Sequence, residues 1–129
     1  MNDQTGMHYR RFQYNAALAS RMEQALPQHL DWCAVAAFYA AMHVLDAYLS
    51  TKQFAFPIDS HPNRNRAIRL SPELRRCGTS YRELQEVSEQ VRYDPGFQYQ
   101  EFHHGQAKFN LTKVAAVLEP KIKKLLGES

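Results

Sequence analysis

In the segment FYAAMHVLDAYL, Tyr39, His43 and Asp46 recur at spacings of four and three, which on a helix sets three polar side chains along one stripe. An imidazole held by a carboxylate keeps one tautomer and titrates near neutral pH, the arrangement of a general acid or base. The same stripe equally suits a buried hydrogen-bond network in which Asp46 accepts from His43. Downstream, His61 stands three residues before Arg64, with Arg66 beyond it. Cleaving RNA without a metal needs a group that takes the 2′-hydroxyl proton and a cation that holds the phosphate as charge builds. A His beside an Arg supplies both, and a solvated surface strip is the alternative for the same residues.

The basic residues are unevenly spread. From His61 to Arg76 the chain holds Arg64, Arg66, Arg69, Arg75 and Arg76 against one acid, Glu73, whereas the whole chain carries 16 Lys and Arg against 13 Asp and Glu. That segment exceeds the net charge of +3 by itself, at a pI near 9.0. Guanidinium suits bidentate phosphate contact better than an ammonium does, so the cluster points to RNA or a nucleotide as partner. Lys121, Lys123 and Lys124 form a smaller cluster whose position matches cations that complement a helix C-terminus. Tyr81, Ser88 and Arg92 share a narrow arc of another helix, and Asp46 is the simplest partner for that arc. His103 and His104 are adjacent and point apart, so no metal site is expected. Glycine-rich phosphate loops, G-x-S-x-G turns and H-E-x-x-H helices do not occur, and no cofactor is expected.

These residues must be positioned by helices. With 129 residues, 44% hydrophobic and 22% charged, the chain reads as one domain spanning 1–129, long enough for a core without staples. Phe12, Ala16, Ala19, Met22 and Leu26 give helical periodicity over residues 7–26, stopped by Pro27. A second helix is expected over 31–51, apolar on most faces and therefore central. Asp59 or Ser60 caps a third helix with Pro62 in its first turn, and Ser71 with Pro72 starts a separate short turn. Ser80 and Glu83 read as a capping box opening a helix through Arg92, ended by Asp94, Pro95 and Gly96. Residues 97–110 are ambiguous, and 112–126 form a final helix kinked by Pro120. The sum is an all-α antiparallel bundle of four main helices with one or two extra short ones.

Leu30 to Leu49 approaches the length of a membrane span but carries Asp31, His43 and Asp46, so a buried helix and no membrane association are expected. The first residues lack the apolar run of a signal peptide, and Cys33 and Cys77 read as small buried hydrophobes, so a cytoplasmic, reducing location is expected.

Three blocks in order, WCAVAAFYAAMHVLDA from Trp32, SHPNRNR from Ser60 and YRELQEVSEQVRYDP from Tyr81, make residues 7 to 126 similar to a HEPN domain. That resemblance implies a small helical bundle that dimerises, with RNA as substrate of a metal-independent endoribonuclease in toxin or antiviral defence systems. By the resemblance, His43, Asp46, His61 and Arg64 are the catalytic candidates. Arg66, Arg69, Arg75, Arg76, Arg92 and Tyr39 are the nucleic-acid contacts. The family's signature, an Arg followed four to six residues later by His, is missing: Arg21 precedes His29 by eight. The alternative is therefore a non-catalytic binding and dimerisation module that accompanies a partner encoded nearby, such as a nucleotidyltransferase or a defence effector.

Overall fold

The computed structural model describes residues 3–127. Five α-helices follow one another: α1 (Asp3–Ala25), α2 (Leu30–Leu49), α3 (His61–Leu70), α4 (Arg75–Tyr93) and α5 (Glu101–Leu125). Single 3-10 turns, Pro27–His29 and Pro72–Leu74, lead directly into α2 and α4. The fold is all-α, with no strand among the described residues.

The core forms around α2, which touches α1, α4 and α5. Ala34, Ala40, Ala41 and Ala47 are fully buried, and side chains this small let three long helices approach one rod. Phe38 is the large group at its middle, fully buried against the rings of His61 and Tyr81 at 5.6 and 5.7 Å between centroids. Pro27–Leu49 is long and apolar enough to cross a membrane, yet 83% of its apolar window is covered by the fold, as befits a core helix. Cys33 and Cys77 are free and buried, and burial pushes the Cys77 thiol up to about 11, so neither is a ready nucleophile.

Ser60 caps α3, its hydroxyl accepting from Asn63 N at 3.3 Å, with Pro62 in the first turn as the sequence suggests. The Ser80 capping box does not form, because α4 starts five residues earlier. The turn at Pro72–Leu74 runs on into helix, and Leu74, Cys77 and Tyr81 supply an apolar face that buries Ser80 inside it. Likewise α5 begins at Glu101 rather than Thr112. Gln100 caps it, and His103 Nδ1 returns to accept from Gln100 N at 2.9 Å. Its early turns bury Ala107 and Asn110, one small and one polar, so an apolar periodicity is hardly visible there.

Where α3 crosses α4, Gly78 lets the helices meet: a Cβ built there would lie 2.9 Å from Ile68 Cγ2. That methyl sits on a branched carbon and cannot swing aside. Gly105 lies on α5 with nothing within 4 Å of such a carbon. Gly78→Ala is expected to destabilise the fold, because overpacking of about 1–3 kcal/mol outweighs the roughly 1 kcal/mol gained in helix propensity. Gly105→Ala is expected to gain about 0.5–1 kcal/mol. Denaturant midpoints of the two variants check this, and a rise in both would contradict the close crossing.

Candidate functional site

The stripe on α2 is met by three other helices. Arg64 of α3 donates through Nε to Asp46 Oδ1 at 2.8 Å and through Nη2 to Oδ2 at 2.9 Å. With side-chain exposures of 12% and 6%, this bidentate pair holds α3 onto α2 from within the fold. Burial disfavours the guanidinium charge, but the Asp46 hydrogen bonds and charge outweigh it, so the Arg64 pKa rises. The expected contact between Asp46 and His43 is thus replaced by one to Arg64. Both fork nitrogens that would grip a phosphate are engaged internally.

His43 finds its partner on α1. Its Nδ1 lies 3.0 Å from His8 Nδ1, a separation at which one ring donates and the other accepts. Burial lowers the His43 pKa, the His8 charge adds to this, Asp46 opposes it, and Arg11 and Arg64 push it lower again. His43 is therefore neutral at pH 7 and able to accept a proton. His8 is the site residue that sequence reasoning missed. Its signal was the short break at Pro27, which folds α1 back along α2 and brings the early turns of α1 beside the later turns of α2.

At the other end of the stripe, Arg92 Nη1 donates to the Tyr39 hydroxyl at 3.0 Å, and Arg92 Nε donates to Ser88 O at 3.2 Å. The guanidinium also lies over the Tyr39 and Tyr93 rings, at 5.5 and 4.9 Å from their centroids. The arc of Tyr81, Ser88 and Arg92 does not converge on Asp46 as expected: Arg92 takes Tyr39 instead. His61 turns inward onto Phe38, and its Nδ1 is buried without a hydrogen-bond partner, as are the Tyr81 hydroxyl and Ser88 Oγ. Burial raises the Tyr81 pKa, Arg64 pulls it down and Asp46 pushes it up, leaving a neutral phenol.

The remaining arginines of the cluster have a different fate. Arg66 and Arg69 lie exposed on α3, and Arg75 and Arg76 lie exposed in the first turn of α4. None of the four forms an ion pair among the described residues. Arg66 is steadied by the Phe56 ring, 4.3 Å from its centroid. Glu73, the only acid nearby in sequence, accepts from the Tyr48 hydroxyl at 2.7 Å, and that bond lowers its pKa. His103 and His104 point apart as expected, His103 to the Gln100 amide and His104 to Glu23 of α1 at 2.5 Å. Among the described residues no three His, Cys, Asp or Glu side chains are grouped to hold a metal ion. No family model, curated protein or solved structure matches the chain.

Asp46→Asn leaves the Arg64 charge buried with half its partner and is expected to cost about 3–5 kcal/mol, most of it recovered when both residues are replaced by Leu and Met. Urea unfolding of the two variants measures this. The His43 shift fixes a pH dependence. Because the folded pKa is depressed, the unfolded chain binds more protons below about 6.5, so stability is complete above that pH and declines as pH falls towards the folded value. The thermal midpoint is expected to drop more between neutral and mildly acidic pH for the wild type than for His43→Gln. Equal slopes would show that His43 is not held neutral.

Proposed function

We propose that the chain is a HEPN-like RNA-binding module, an antiparallel bundle of four main helices with α3 as a short addition, acting as a homodimer in the cytoplasm. One observation carries the reading: of five clustered arginines, Arg64 is tied to Asp46 inside the fold, whereas Arg66, Arg69, Arg75 and Arg76 are exposed and form no ion pair among the described residues. A guanidinium without a carboxylate partner is available to phosphate, and four of them on one helix and the start of the next match a charged backbone rather than a single small anion. Arg92 and Tyr39 would contribute a stacking surface at the far end of the stripe. A non-catalytic role beside a partner protein fits the engagement of Asp46 and Arg64 with each other.

A second reading, metal-independent cleavage of RNA, is favoured by the His8–His43 pair. A neutral His43 that donates its Nδ1–H to His8 Nδ1 would be held in the tautomer whose Nε2 is free to take the 2′-hydroxyl proton. His61 has only Nε2 to offer, since its Nδ1 is buried. The 2′-oxygen would displace the 5′-oxygen of the next nucleotide from phosphorus, a proton from water would go to that 5′-oxygen, and products would end in 2′,3′-cyclic phosphate.

Both readings are tested with labelled single-stranded RNA in the presence of EDTA. Anisotropy at rising salt is expected to give binding that weakens with a log–log slope of about −0.7 per phosphate contact, and Arg66→Gln and Arg76→Gln each to make that slope shallower by about this amount. No binding at low salt, or slopes unchanged in the variants, would remove RNA as the partner. Cleavage lost in His43→Ala would favour the enzyme, and intact RNA with retained binding the module.

A further inference from the structure

A second surface is built differently from the arginine face and shares no lining residue with it. The helices α1 and α5 lie side by side in opposite directions. Glu23 near the end of α1 meets His104 and Lys108 near the start of α5, and Tyr9 donates to Glu119 at 2.8 Å towards the other end. Between these two clamps the helices part. A cleft of about 740 Å³ runs between them and continues into a second of about 200 Å³ through Ala16, Leu111 and Thr112, which line both. The floor is α2, at Cys33, Ala34 and Ala37.

Alanine is the commonest residue of the lining: Ala16 and Ala19 on one wall, Ala107, Ala115 and Ala116 on the other. Walls this small let a helical backbone approach closely, at the 8–10 Å axis separations of helix packing. From Lys108 to Lys124 the groove follows α5 for about 24 Å at 1.5 Å per residue, some four turns of a helix. Its open, elongated form would leave a small molecule largely in water, whereas small-molecule sites enclose most of their ligand. Phe109, 62% exposed, stands one turn from Thr112 and two from Ala116 on the same helix, extending the apolar border outward.

The charge on the rim selects the partner. Lys108, Lys123 and Lys124 line the groove against two acids, Glu23, which pairs with His104 and Lys108, and Glu119, which pairs with Lys123 and accepts from Tyr9, so the cations exceed the acids by one lysine and Lys124 has no ion pair among the described residues. We infer that the α1–α5 groove receives an amphipathic helix of a partner protein, with a small apolar stripe facing the alanines and acidic residues facing the lysines. A second copy of this chain fits less well. Its acid-rich helix, α4 with Glu83, Glu86 and Glu89, already turns its apolar face into its own core.

The probe is a labelled synthetic helix of about 18 residues with a Leu/Ala stripe and Glu on its flanks, compared with the same peptide carrying Lys for Glu. The acidic peptide is expected to bind at least about tenfold more tightly than the basic one. Ala116→Trp, at an exposed position that leaves the core alone, and Lys123→Glu with Lys124→Glu are each expected to weaken it by a similar factor. Arg66→Gln with Arg76→Gln should leave it unchanged. Circular dichroism confirms that each variant folds. The inference is overturned if the acidic peptide does not bind or binds Ala116→Trp equally well. It is overturned too if polyuridine or vesicles of phosphatidylcholine with phosphatidylglycerol displace the peptide, or if Ala116→Trp converts a wild-type dimer to a monomer.

Discussion

The contact on which the rest depends is the ion pair between Asp46 and Arg64. A carboxylate near the end of an almost entirely apolar helix has few ways to remain charged, and the guanidinium of α3 meets it with both fork nitrogens. That one requirement fixes where α3 lies and turns its Arg64 side inward. It also brings His61 onto Phe38 and sends Arg66 and Arg69 to the opposite, exposed side. The α3 part of the basic surface is therefore a consequence of a buried contact: a ten-residue helix with Arg64 anchored inside displays Arg66 and Arg69 outside.

The second constraint is the smallness of α2. Its fully buried alanines let α1, α4 and α5 converge on one rod, and the polar stripe Tyr39, His43 and Asp46 runs along the one side where alanine gives way to groups that bond. Each of the three meets a different helix, through Arg92 of α4, His8 of α1 and Arg64 of α3. The stripe thus joins the bundle laterally, while the apolar contacts hold it in depth. The same economy of side-chain volume leaves the cleft between α1 and α5, where alanines face one another across a gap that no side chain of the fold fills.

Much of this was legible in the residues. The central helix, the Ser60 cap, the break at Pro27 and the polar stripe all follow from local spacing, because apolar periodicity and capping are local physics. The starts of α4 and α5 were not legible. At α4 a serine that could cap is buried mid-helix, and at α5 the inward positions are Ala107 and Asn110, which carry no apolar signal. Partners within the site were harder still. The stripe marked Asp46 and His43 as needing partners but not which partners, since both choices depend on how helices dock across the bundle. His8, in a stretch of mixed polarity, gains its meaning only from the helix opposite it. The HEPN resemblance rests on the three sequence blocks alone.

The central claim is that one arginine of the cluster is structural and four face a ligand. The most direct test is the side-chain Nε–Hε NMR spectrum of the arginines during titration with single-stranded RNA. The account predicts that the Arg64 resonance is protected from exchange and unmoved, while those of Arg66, Arg69, Arg75 and Arg76 shift together and return as salt is raised. A shift at Arg64 with loss of its protection, or no shift at any of the other four, would contradict it.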